Sequence, residues 1–175
     1  MCSRFQRKLI RASHLSLWPM LALAVCMGCA STKSVWRSEP QLRKVANEHF
    51  AVELSADCRE TGCSGFTLFV ENKSDRDIEI DWSQTAYLRN GAESGGFTFE
   101  GIILRNKKDR KPLETVVAHG LLSKKIMPEM LTYSGKVLPQ GMGPGEHGIR
   151  LVVKTDGREI SERVILYILK MEFPE

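Results

Sequence analysis

The sequence predicts an all-β fold, an antiparallel two-sheet sandwich, and three observations carry that expectation. Apolar residues recur at every second position in short runs. Turn-forming clusters punctuate those runs. The two clearest runs, Ile149 to Lys154 and Val164 to Lys170, flank Thr155-Asp-Gly-Arg158, whose Asp-Gly favours a tight hairpin. Short strands at turn-punctuated spacing suit two sheets packed face to face.

Each element follows in order. Phe50 to Leu54 reads as a first strand. Phe66, Leu68 and Val70 alternate with Thr67, Phe69 and Glu71, a period of two. Asn72-Lys-Ser-Asp75 is a turn, and Ile78 and Ile80 then alternate with acids up to Trp82. Tyr87-Leu88 leads into Asn90-Gly91, a strong turn signal. Phe97 to Phe99 and Ile102 to Leu104 continue the pattern, and Lys124 to Pro128 reads as a strand ending at its proline. Glu159 to Glu162 extend the last hairpin as an exposed ribbon. Trp82 is the expected centre of the core, with Trp36 assigned to a polar tether.

The N-terminal residues fix an expected address. Arg4, Arg7, Lys8 and Arg11 form a basic region without acids, and Leu15 to Gly28 is an apolar stretch broken by Ser16 and Pro19. A spanning helix needs about 20 apolar residues, whereas a secretory signal fits. The stretch ends at Cys29, with Gly28 before it and Ala30-Ser31 after it, as at a lipoprotein cleavage site. Cys26 is the alternative, disfavoured by bulky Val25. An ordinary secretory signal or an uncleaved anchor is the plainer reading. The expected division is a signal peptide over 1–28, a polar tether over 29–48 with a short helix in Leu42–His49, and the β-domain over 49–175; packing of the tether segment as a first edge element is the alternative. Ala30, rather than aspartate, after the lipidated cysteine points to the outer membrane, facing the periplasm.

The net charge of +4 belongs to the targeting region: of 25 Lys+Arg and 21 Asp+Glu, four basic residues and no acid precede Cys29. The mature chain is neutral, so no nucleic-acid partner is expected. Residues 29–175 make one domain, able to bury roughly two-thirds of its unfolded surface.

The segments Phe66-Thr-Leu-Phe-Val-Glu-Asn-Lys-Ser-Asp75, Ile78-Glu-Ile-Asp-Trp82-Ser-Gln-Thr85, Gly95-Gly-Phe97 with Glu100-Gly-Ile102, Lys125-Ile-Met-Pro128, and Leu138-Pro139 with Gly145-Glu-His-Gly-Ile149 resemble a group of uncharacterised small bacterial lipoproteins. The resemblance runs from about Phe50 to Leu169. It implies an immunoglobulin-like sandwich and brings no activity with it.

Cys58 and Cys63 frame Arg-Glu-Thr-Gly. Two cysteines flanking a tight turn in an oxidising compartment read most simply as a disulfide. Zinc wants four ligands, and His49, His119 and His147 are scattered without ligand spacing, so no metal and no cofactor are expected. Gly143-Pro-Gly-Glu-His-Gly148 matches a dinucleotide fingerprint by letter, but it precedes a strand and contains Pro144, so it reads as a turn. Gly62-Cys-Ser-Gly65 falls one residue short of a nucleophile elbow and lies on the cysteine-flanked turn. Asp75, Asp77 and Asp81 offer oxygen ligands for calcium, but a solvated strand face is the simpler reading.

One cluster is strongly basic: Arg105, Lys107, Lys108, Arg110 and Lys111, with Asp109 the single acid. Contact with an anionic envelope surface is the functional reading, and a solvated loop the plain one. No catalytic residue is assigned. The expected role is that of a lipid-anchored envelope module that is structural or binds an envelope protein. A periplasmic ligand-binding or hydrolase-inhibitor module on the same anchor is the alternative.

Overall fold

Alternation from Phe66 to Asn72 builds the centre of the molecule. In the computed structural model, which describes residues 32–99, 111–133, 136–137 and 141–174, Phe50–Arg59 (β3) and Gly62–Asn72 (β4) pair as a hairpin. Phe50, Val52 and Leu54 on one strand and Phe66, Leu68 and Val70 on the other are fully buried, because successive side chains on a strand point to opposite faces. Arg43–Ala46 (β2), Leu121–Pro128 (β10) and Phe97–Phe99 (β8) complete a five-stranded sheet in the order β2-β3-β4-β10-β8.

The second sheet is built on the other hairpin. Gly145–Thr155 (β13) pairs along its whole length with Arg158–Pro174 (β14), turning at Asp156-Gly157 with both residues at positive φ. Thr32–Glu39 (β1) covers the outer edge of β14. On the far side of β13 lie Ile78–Asp81 (β5) and Ala86–Arg89 (β6), the two halves of an interrupted strand. Ala92–Glu93 (β7) pairs with β6, and Leu113–Val116 (β9) pairs with β5. Thr132–Tyr133 (β11) and Lys136–Val137 (β12) form a separate small ribbon.

The two antiparallel sheets pack as a sandwich. Phe66, Phe97 and Tyr87 meet at ring separations of 6.0–6.3 Å between them. Ile149, Leu151, Val153, Val164, Leu166 and Ile168 supply the facing wall. The order β3-β4-β10-β8 opposite β14-β13-β5 corresponds to strands A-B-E-D opposite G-F-C of immunoglobulin constant-type domains. Strands β1, β2 and β9 are additions to that frame.

The expected tether is corrected by the structure. Thr32 to Ala46 is not a linker with a helix but two strands, one in each sheet, joined through Pro40. Inward positions of β1 are Ser34, Trp36 and Ser38, so its only large apolar inward residue sits between serines. That pattern reads as polar, yet Trp36 packs against the core and Lys170 lies over its ring.

Trp82 occupies the break between β5 and β6. Asp81 builds the break: its carboxylate accepts from the Ser83 and Gln84 amides, and its carbonyl accepts from the Thr85 amide. The Val152 amide, opposite the break, donates to Thr85 Oγ1 instead. Trp82 is buried against Phe99 at 4.9 Å.

Candidate functional site

Of the expected site residues, Cys58, Cys63 and Lys111 are among the described residues. Cys58 and Cys63 are joined as a disulfide at the tip of the β3–β4 hairpin, directly opposite each other in register. The Met142 amide donates to the Cys63 carbonyl, so the tip is also stitched to the segment before β13. Gly141 has positive φ there, and a Cβ on it would come within 2.8 Å of the same carbonyl.

Arg105, Lys107, Lys108 and Arg110 lie outside the described residues, as do Cys26 and Cys29. Lys111, the last residue of the basic cluster, is described. Its side chain is 8% exposed and ion-paired with Glu129, and its backbone is bonded to Ser83. The pair passes over Gly96, where a Cβ would meet Lys111 Nζ at 2.6 Å. A Cβ at Gly96 would push that ammonium aside, and since it ends a flexible side chain the glycine eases the pairing without being required for it.

The titratable residues of the sandwich are spent on structure. His147 is 1% exposed, and its Nε2–H donates to the Gly143 carbonyl at 2.8 Å. Its Nδ1 is left to accept from the Tyr87 hydroxyl at 2.5 Å. Burial pushes the Tyr87 phenol up to about 12 and holds the His147 imidazole below its ordinary value. Both partners are thus neutral, and the motif Gly143 to Gly148 is a clamp on a buried histidine. Gly148 completes it, since a Cβ there would sit 2.2 Å from the Val164 carbonyl.

Asp81 is buried, which opposes its ionisation. Hydrogen bonds from Lys154, at 2.6 Å, and from Gln84 overcome that and hold it below the usual carboxylate range. Glu114 accepts from the Trp82 indole at 2.7 Å and pairs with Lys124 at 2.7 Å, while Lys124 Nζ rests 4.1 Å from the Phe99 ring centre. This ionic plug closes one margin of the sandwich, and its lysine stands at an inward position beside Leu68 in register. Asn72, 1% exposed, donates to the carbonyls of Arg76, Val116 and Val117 and accepts from Ser74. Asp77 caps the Ala118 amide and Asp75 pairs with His119, so the three aspartates serve separate tasks. Among the described residues no group of three His, Cys, Asp or Glu converges to hold a metal, and no helix is long and apolar enough to cross a membrane.

Sequence reasoning missed a groove on the outer face of the five-stranded sheet. Register puts Ala51, Glu71 and Leu121 in one cross-strand row and Glu53 and Phe69 in the next. With His119 and Gly120 they line a depression of about 430 Å³. Leu121 is 66% exposed. Phe69 was the available signal: it is an aromatic at an outward position of a strand whose inward positions are already apolar.

Comparison of the chain with family models, with curated proteins and with solved structures finds no match.

Proposed function

We propose that this protein is a lipid-anchored module of the bacterial cell envelope that binds an envelope protein through the outer face of its five-stranded sheet. The groove of Phe69 and Leu121 rimmed by Glu53 and Glu71 carries this reading. An exposed apolar floor with charges at its edge is the pattern of a recognition site, since surface leucines normally stand singly. Glu53 is already paired with Lys44 at 2.8 Å, so the partner presents an apolar side chain with a basic group directed at Glu71. The anchor is Cys29, with Cys26 as the alternative, and the site of attachment is the outer membrane on its periplasmic side. The basic N-terminal region, the apolar stretch and Gly28 support it. The buried histidine and aspartate have full sets of structural partners, which favours binding over catalysis.

The alternative, a periplasmic ligand-binding or hydrolase-inhibitor module, draws on the groove volume, which falls within the range of small-molecule sites. One experiment separates them. A photo-crosslinking residue is placed in cells at Leu121, at Phe69 and, as a control, at Ser161 on the other sheet. The proposal expects one protein adduct of the same mass from the first two positions and none from the third. Adducts at all three positions, or none at the groove, overturn it. Alkyne fatty-acid labelling lost in Cys29→Ser supports the anchor; labelling lost only in Cys26→Ser moves it.

A further inference from the structure

The chain past Ile168 in β14 has no partner on β13 and pairs only with β1. Alternation there is regular. Val164, Leu166 and Ile168 point inward and are buried, so Tyr167, Leu169, Met171 and Phe173 form a line on the outward face. Tyr167 and Phe173 are about half exposed, and Val35, opposite Met171, is 36% exposed. The outward neighbours on β1 are Lys33, opposite Phe173, and Arg37, opposite Leu169; the one acid, Glu39, stands at the far end opposite Tyr167, whose hydroxyl donates to Glu146. Aromatic and aliphatic side chains flanked by basic residues make an interfacial surface, apolar enough to enter the headgroup boundary and charged to match anionic phospholipid.

The covalent chain places this surface at a membrane. Only Ala30 and Ser31 separate Cys29 from Thr32, and Thr32 is in register with Pro174 at the end of the line. Three Cα steps reach at most about 11 Å, whereas a headgroup layer is about 5–8 Å thick. With the expected tether built into the sheet as β1, too little chain remains to hold the domain clear of the lipid.

We propose that the outward face of β1 and β14, from Leu169 to Phe173 with Lys33, Val35 and Arg37, lies against the phospholipid leaflet that carries the anchor. This inference rests on lipidation at Cys29. The lipid supplies the attachment and the face sets the orientation. The sandwich is then held flat, with the five-stranded sheet and its groove turned away from the membrane.

The test uses the mature lipoprotein in vesicles of phosphatidylethanolamine and phosphatidylglycerol. Cys58 and Cys63 are joined and Cys29 is acylated, so a single introduced cysteine can carry an environment-sensitive fluorophore. Phe173→Cys, Met171→Cys and Leu121→Cys are compared, with unfolding midpoints checked against wild type. Shallow nitroxide-bearing phospholipids are expected to quench the label at 173 and 171 about threefold or more over that at 121, as for side chains at the headgroup boundary. Equal quenching at all three positions overturns the proposal. So does a label at 173 that is shielded from water but untouched by the lipid quencher, which means a second copy covers the face. Failure of the anchor reads differently: the protein does not float with vesicles and its mass lacks acyl chains.

Discussion

On the outer face of the five-stranded sheet, apolar residues are gathered into one groove with an acidic rim, Phe69 and Leu121 beside Glu53 and Glu71. On the outer face of the seven-stranded sheet they run in a line along β14, with Lys33 and Arg37 across from them. Both faces arise from the same alternation, and both lie over one shared core. The difference is informative because inward positions answer to packing alone. Outward positions are free of that demand, so a concentration of apolar side chains there is the feature on which both proposed contacts rest.

The comparison breaks first if the core fails. Trp82→Ala removes a buried aromatic and leaves the Glu114–Lys124 pair without its indole donor. The expected loss is about 3–5 kcal/mol, measured as a shift in the urea midpoint, against a total that is often about 5–15 kcal/mol. Groove binding and membrane contact should then decline together. Trp82→Phe retains most of the volume and isolates the hydrogen bond, with an expected loss nearer 1 kcal/mol.

Acid and alkali load the seven-stranded sheet through one pair. In the unfolded chain His147 takes up a proton near its ordinary value of 6.5, but the folded chain resists it to lower pH. The unfolded state binds more protons in that window. The stabilising contribution is therefore complete above about pH 6.5 and falls with acidification, by up to about 1.4 kcal/mol per pH unit. Tyr87 acts at the other end. Its folded value of about 12, raised from 10.0, gives stability that is full below pH 10 and is lost as pH rises toward 12, roughly 2–3 kcal/mol in all. Tyr87→Phe should abolish the alkaline loss and keep the acid one. An alkaline limb that persists in Tyr87→Phe would assign it to another group.

Reduction of Cys58–Cys63 acts on the five-stranded sheet instead. Closing so short a loop is worth about 2 kcal/mol by chain entropy. The reduced protein should keep its far-ultraviolet circular dichroism and lose that amount in the urea midpoint, because the hairpin is held by its own ladder and by the Met142 bond. A reduced protein that unfolds outright would show that the hairpin tip nucleates the whole sheet.

Residues that fill the core were readable from spacing. Phe66 to Val70, Ile78 to Asp81, Ile149 to Val153 and Val164 to Ile168 all carry period two and all form the strands expected of them, with Trp82 buried just past the end of its strand. Strand β1 was not readable, because Ser34 and Ser38 stand where apolar residues would announce an inward face. The groove was not readable either. It depends on Phe69 and Leu121 becoming diagonal neighbours across the β4–β10 pairing, a register that no local pattern contains. His147 looked like part of a glycine-rich turn, and its burial follows from β13 starting earlier than expected, at Gly145, so that His147 takes the inward position two before Ile149.

The smallest change in stability should be the most discriminating for the two faces. Leu121→Lys replaces an exposed side chain, so its cost should stay within about 0.5 kcal/mol. The new ammonium would stand beside Glu71 in register, and pairing with it would close the groove, Glu53 being already paired with Lys44. Cross-linking from Phe69 should drop about tenfold, the effect of losing one anchoring contact worth about 1.4 kcal/mol. Quenching of a label at Phe173→Cys by shallow nitroxide lipids should be unchanged, since Phe173 lies on the opposite sheet. Phe173→Asp should do the reverse, with partner capture intact and a label at Met171→Cys withdrawn from the lipid. If Leu121→Lys weakens both readouts while the urea midpoint holds, the two faces are not independent. The partner would then be met at the membrane surface itself, with the groove turned toward the lipid rather than away from it.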